Sequence, residues 1–297
     1  MTPKRAAVAA ATAEGSHVRA GCGAEGAHMR GVIYYYSGTG NTALACGYLA
    51  RGLPLPVDVV DVTTARDVDL APADVAGFAT STDFWGVPRA FEAFIERLPL
   101  QDGTPAFVFN TFGAASGKAL TMLAAAVADR GFDVLAGHSL HMPESYPPMI
   151  AARMAARGAP GARQLAHLDA FVSDLGRRLV AVGAGGPAER RRLRLGVVNS
   201  LLPTRSRTTA REGMGEKHVA EAACTECGTC RKGCPYEAIR LEPKPVFDMS
   251  RCYGCWRCYN RCPAHAISTG KYRGGPFYPG PSEALRVKLG SPPDATT

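Results

Sequence analysis

The sequence has no uninterrupted apolar run of about eighteen residues, so it offers no segment of the length a membrane-spanning helix needs. The Lys4-Arg5 pair near the start leads into alanines, not into the bulky aliphatic stretch of a secretory leader. No glycine-lysine pair is followed by serine or threonine, which excludes a Walker-type nucleotide loop. Cysteine is almost missing from the first 220 residues, where only Cys22 and Cys46 occur, so a disulfide framework is excluded as well. A soluble cytoplasmic protein is the expectation.

The chain is 297 residues long with 46% hydrophobic residues, enough to bury a core and to divide into two domains. Its formal net charge of +8 invites a nucleic-acid reading, yet residues 185–217 alone supply +5 from seven Arg, one Lys and three Glu. Arg190, Arg191, Arg192, Arg194, Arg205, Arg207 and Arg211 stand among Gly, Pro, Ser and Thr without interleaved aromatics. That composition reads as a basic linker, not as a nucleic-acid surface.

Along the chain, residues 1–28 carry no sustained periodicity and are expected to be a disordered leader, with Met29 an alternative start. From residue 29 to 184 strands and helices alternate: strands at 32–36, 57–62, 75–80, 106–110 and 132–140, helices at 41–51, 88–97, 118–130 and 162–182. Parallel strands need helical crossovers, so this alternation predicts a parallel sheet covered on both faces, with the flavodoxin-like order 2-1-3-4-5. Beyond the linker at 185–216, residues 217–270 shorten to cysteine-bearing loops with brief strands near Val219, Ile239, Val246 and Ile267. This is the expected small α+β domain, too small to fold without staples. Residues 271–297 are expected to be a C-terminal tail.

Eight of the ten cysteines fall between Cys224 and Cys262. Cys224, Cys227, Cys230 and Cys234 form C-x2-C-x2-C-x3-C-P, and Cys252, Cys255, Cys258 and Cys262 repeat it without a change in spacing. Three closely spaced thiolates suit one 4Fe-4S cube, and the fourth, ahead of a proline, suits the other. The expected ligand sets therefore cross: Cys224, Cys227, Cys230 and Cys262 for the first cluster, Cys252, Cys255, Cys258 and Cys234 for the second. Zinc also takes four thiolates at short spacing, but the doubled run with both prolines argues against it. Tyr236, Tyr253, Trp256 and Tyr259 adjoin the ligands and are read as packing that shields the clusters. Cys46, in a helical stretch, reads as a buried free thiol.

Directly after the first strand stand Ser37, Gly38, Thr39, Gly40, Asn41 and Thr42, opening into a helix. Glycines let the backbone approach an anion, N–H groups at a helix start point towards it, and hydroxyls donate further bonds. Such a loop suits the phosphate monoester of FMN. Two later strand ends converge on the same place in this fold: Thr82, Phe84, Trp85 and Gly86 after the third strand, and Thr111, Phe112, Gly113 and Gly117 after the fourth. Trp85 and Phe112 are the candidates to flank the flavin ring. The match of Gly21 to Gly26 to G-x-G-x-x-G precedes the first strand and lacks the dinucleotide context. His138 and His141 read as structural. No catalytic residue is assigned.

Residues 30–270 resemble the flavodoxin–ferredoxin fusion family, in which an FMN-type flavodoxin fold precedes a two-cluster ferredoxin domain. The resemblance rests on Ser37 to Thr42, Trp85-Gly86-Val87-Pro88, Asn110 to Gly113, the Met142-Pro143 loop with Tyr146, and the run from Cys252 to Ile267. It departs at Ser145, where such proteins tend to carry asparagine, and in its basic charge. It implies two 4Fe-4S clusters and FMN; redox partner proteins are expected, with donor and acceptor unknown, and the composition itself argues for no nucleic acid and no membrane. The expected function is that of an electron carrier passing single electrons between the clusters and FMN. The alternatives are an FMN-dependent reductase of a small substrate fed by its own ferredoxin domain, and a redox-sensing regulator.

Overall fold

The computed structural model describes residues 29–64, 73–187, 189–190, 193, 196–203 and 207–290. The expected leader, with Cys22 and the Gly21 to Gly26 motif, lies outside the described residues, as do Arg191, Arg192, Arg194 and Arg205. The first half alternates β1 (Gly31–Tyr36), α1 (Asn41–Gly52), β2 (Val57–Asp61), β3 (Val75–Ser81), α2 (Arg89–Glu96), β4 (Pro105–Phe112), α3 (Ala119–Ala128), β5 (Asp133–His141), α4 (Pro147–Ala151) and α5 (Ala162–Gly183). The five strands form one parallel sheet in the order β2-β1-β3-β4-β5. That is the flavodoxin-like order, whose switch point lies between β1 and β3.

Alternation along β1 shows how the sequence fixes both faces. Ile33 shares a core with Leu49 of α1, Leu175 of α5 and Phe109 of β4. Val32, Tyr34 and Tyr36 point the other way, to Phe78, Phe91, Phe94 and Leu123 on the α2 and α3 side. A strand buried on both faces must be apolar at nearly every position, which is why β1, β3 and β4 read as continuous apolar runs. Gly77 in β3 has no room for a side chain, since a Cβ there would lie 2.4 Å from the Phe107 ring. Cys46 is fully buried in α1, and burial pushes its thiol well above the ordinary range, in line with an inert packing role.

The second half carries α6 (Val197–Leu201), α7 (Arg207–Met214), β6 (Lys217–Val219), α8 (Thr229–Lys232), β7 (Ile239–Glu242), β8 (Lys244–Phe247), α9 (Arg257–Arg261), β9 (Ile267–Thr269) and α10 (Glu283–Lys288). Two small antiparallel ribbons, β6 with β9 and β7 with β8, frame a core of Met214, Ile239, Trp256, Tyr259, Ile267 and buried cysteines. Tyr236 stacks on Tyr253 at 4.7 Å between ring centres, and Trp256 meets Tyr259 edge-on at 5.2 Å.

Residues 271–290, expected as part of a tail, run back to the first half instead. Ser282 caps α10 by accepting the Leu285 N–H, and Leu285 and Leu289 bury themselves in the core beside α1 and α5. Arg51 and Lys288 tie the same segment down, through the carbonyls of Leu289 and of Gly158 and Pro160.

Candidate functional site

The loop after β1 is pre-shaped by its own bonds. The Gly40 N–H donates to Ser37 Oγ at 3.0 Å, and Gly40 adopts a left-handed φ of 103° that a side chain would strain. No side chain caps α1, so its first N–H groups and the positive end of its dipole face the loop. Thr42 Oγ1 and Thr111 Oγ1 share a hydrogen bond of 2.8 Å, which joins the loop to the end of β4.

Above this loop opens a cavity of about 360 Å3, within the size range of small-ligand sites. Of the sequence-predicted flavin residues, Ser37, Gly38, Thr39, Asn41, Thr42, Thr82, Phe84, Trp85, Thr111, Phe112 and Gly113 line it. Gly40, Gly86 and Gly117 do not; they shape the backbone behind it. Gly86 closes a tight bridge with Asp83 through a pair of backbone bonds of 2.9 and 3.0 Å. Gly117, at φ 55°, sits where a Cβ would lie 2.2 Å from that of Trp85. Gly113 leaves space beside Glu144, whose Oε2 a Cβ would approach to 2.3 Å.

Three bulky residues at this cavity hold left-handed backbone: Phe84 at 45°, Trp85 at 67° and Trp256 at 61°. Such conformations are costly for aromatic residues and gather at functional sites. Phe84 meets Tyr146 edge-on at 5.5 Å, and Tyr146 in turn meets Trp256 at 6.0 Å. His141 stacks on Phe112 and contacts Gln164, while His138 lies between Phe109 and Phe171; neither lines the cavity.

The eight clustered cysteines divide between two further cavities. Cys224, Cys227, Cys230 and Cys262 line one; Cys234, Cys252, Cys255 and Cys258 line the other. In each run the fourth cysteine accepts a backbone N–H four residues on: Ala238 to Cys234 at 3.4 Å, and Ala266 to Cys262 at 3.3 Å. Burial pushes the free Cys255 thiol up to about 12 and Cys230 up to about 11. Four sulfurs facing each cavity are the donor set a cluster requires, and coordination would hold them as thiolates despite the burial.

Lys217 is buried with its Nζ 3.2 Å from Cys258 Sγ and 3.3 Å from Cys252 Sγ. Burial works against its charge, but the neighbouring sulfurs of Cys258, Cys252 and Cys255 outweigh it and push the ammonium well above its ordinary range. A fixed cation on one cysteine set, with none placed likewise on the other, makes the two sets electrostatically unequal among the described residues.

The two halves meet at the cavity above the loop. Gly254, Cys255 and Trp256 line it from the cysteine domain, and Cys255 also lines the second cysteine cavity. Asn260 Nδ2 donates to the Ser145 carbonyl at 2.9 Å, at the position where the resemblance departs. The sequence reading missed these contributions, because nothing in the spacing of a cysteine run says which neighbouring domain it will touch. The Gly254-Cys255-Trp256 turn was visible as a motif, and only its second partner was not.

Residues 218–267 match the family model of the 4Fe-4S dicluster domain. Among solved structures the first half is similar to three flavodoxins. One comes from the domain Archaea, at 16% identity over 51% of this chain and 99% of that one, with a TM-score of 0.39. A second comes from Streptococcus pneumonia, at 20% over 50% and 99%, with a TM-score of 0.38. The third is the oxidised flavodoxin 1 of Bacillus cereus, at 20% over 50% and 97%, with a TM-score of 0.37. No curated protein matches the chain. No helix among the described residues is long and apolar enough to cross a membrane. The chain thus joins a parallel sheet of flavodoxin-like strand order to a segment that matches a 4Fe-4S dicluster domain.

Proposed function

We propose that the chain carries electrons one at a time between two 4Fe-4S clusters, held by the crossed cysteine sets, and an FMN seated on the loop from Ser37 to Thr42. The observation that carries this reading is the double position of Cys255, which borders both the second cysteine cavity and the flavin-type cavity. Electron tunnelling decays exponentially with distance, and a shared wall is the shortest path two sites can have. FMN supplies the ability to exchange electrons singly or in pairs, which clusters alone lack.

The protein's own groups prepare each site. Ser37, Thr39 and the start of α1 receive a phosphate, Trp85 and Phe112 border the ring space, and Lys217 balances the charge of the second cysteine set. The first set lies away from the flavin-type cavity, with Cys227 exposed, and so offers the port for a redox partner protein. Domain limits follow at 29–184 and 217–270, with 271–290 acting as a strap between them.

The reductase alternative requires a proton donor at the cavity wall. Glu144 lines that wall, but its oxygens already accept the N–H groups of Ala114, Ser145 and Tyr146, so it is not the free donor that alternative needs; Asp83 and Tyr146 line the wall as well. Anaerobic reconstitution tests the proposal: one FMN and about eight iron per chain are expected. Stoichiometric zinc with little iron, or failure to retain FMN, contradicts it.

A further inference from the structure

Arg257 stands between two cysteines of the second run, yet its partners belong to the other half of the molecule. It is 4% exposed. Its Nη1 donates to the Ser37 carbonyl at 2.9 Å, and its Nη2 to Thr63 Oγ1 at 3.3 Å, with the Asp61 carboxylate 4.0 Å away. The guanidinium carbon lies 5.9 Å from the centre of the Tyr36 ring. Ser37 opens the phosphate-type loop, so the loop rests on a cation supplied by the cysteine domain. The loop has no lysine or arginine of its own.

The remaining donor is the telling one. Nε of Arg257 is buried and has no hydrogen-bond partner among the described residues. Arg257 lines the second cysteine cavity, and its Nε sits beside Gly233, where a Cβ would lie 3.6 Å from it, next to Cys234. Arginine does not shed its proton, and an orphaned buried donor on a charged group is expensive. A sulfur of an anionic cluster in that cavity is an acceptor of the right kind. The planar fork of arginine serves partners on two sides at once, which a lysine ammonium does not reproduce.

We infer that Arg257 is a positioning residue shared by both cofactor sites: Nε bonds the second cluster while Nη1 holds the start of the FMN phosphate loop at Ser37 and Nη2 is braced by Thr63 and Asp61 after β2. This inference rests on the proposed function. A cation and hydrogen bond on a cluster raise its reduction potential. The same side chain therefore sets the potential of the flavin-facing cluster and the affinity of the flavin loop.

The test uses full-length protein reconstituted anaerobically with iron, sulfide and FMN. Cluster midpoints are read by electron spin resonance, with the second cluster identified by its loss in Cys255→Ala, and FMN affinity by flavin fluorescence. Arg257→Gln should lower the second midpoint, leave the first unchanged and weaken FMN about tenfold, the effect of losing a charged hydrogen bond. Arg257→Lys should keep most of the midpoint and still lose FMN affinity. Asp61→Asn, on the opposite domain, should raise the second midpoint by removing the countercharge, and it decides the matter if the Arg257 variants do not fold. An unshifted second midpoint in Asp61→Asn, or an Arg257→Gln protein altered at only one site or neither, overturns the inference alone. Wild-type protein that lacks FMN or the clusters overturns the functional reading and this inference with it.

Discussion

The Tyr278 hydroxyl donates to Oδ1 of Asn41 at 2.6 Å, across 237 residues of sequence. Asn41 in turn donates from Nδ2 to the Pro143 carbonyl at 2.9 Å. The first residue of α1 is thus oriented by the strand-end loop on one side and by the C-terminal strap on the other, with Pro281 closing over Gly40.

Tyr278→Phe removes one hydrogen bond and leaves the Asn41 carbonyl oxygen without that donor. A net loss of about 1 kcal/mol is expected, which corresponds to an FMN dissociation constant several-fold higher if the loop carries it. Iron content should not change. Fluorescence titration with FMN checks the first expectation and iron analysis the second.

Burial pushes the Tyr278 hydroxyl up to about 12 and hydrogen bonding to Asp169 pushes Tyr48 up to about 12, from an ordinary value of 10.0. The folded state then keeps protons that the unfolded state releases. This contribution to stability is complete below pH 10 and disappears as pH rises from about 10 to about 12. Denaturant melts of the protein across that interval should move to lower midpoint, and Tyr278→Phe should flatten the fall. An unchanged slope in the variant would show that Tyr278 is not among the groups responsible.

Gly117→Ala forces a side chain onto a left-handed position and against Trp85. The backbone cost alone is about 1–2 kcal/mol, and Trp85 must move to relieve the contact. FMN binding should fall sharply with both clusters retained, because the change lies wholly in the first half. Equal loss of iron would point to a global fault.

The crossed ligand sets predict a pairing of phenotypes. Cys234→Ala and Cys255→Ala should lose the same cluster, and Cys262→Ala and Cys227→Ala the other, each leaving about four iron. Electron spin resonance of the four variants separates this from an uncrossed arrangement, in which Cys234→Ala would resemble Cys227→Ala. Chelation of both clusters should unfold the second half and leave the parallel sheet intact, since the second half depends on its metal staples and the sheet does not.

Much of the fold was legible because its signals are local. Continuous apolar strands such as Val75 to Ser81, separated by helical stretches, dictate a buried parallel sheet, and the cysteine spacing states its ligand chemistry directly. The strap was hidden by its irregularity. Its proline and glycine residues carry no period, and α10 spans only six residues. The one trace is Ser282 ahead of Glu283, with Leu285 and Leu289 one turn apart, an N-cap followed by a short apolar stripe. Arg257 was illegible for a different reason. Between two ligands it looks like spacer, and only the docking of the halves reveals what its guanidinium holds.

The central claim is that electrons pass between clusters and FMN inside one chain, through the wall that Cys255 provides. Stopped-flow or flash reduction of the clusters in the FMN-loaded protein, followed at flavin wavelengths, tests it most directly. The account predicts first-order flavin reduction with a rate constant independent of protein concentration. A rate that scales with protein concentration, or a flavin that stays oxidised while the clusters are reduced, would contradict it.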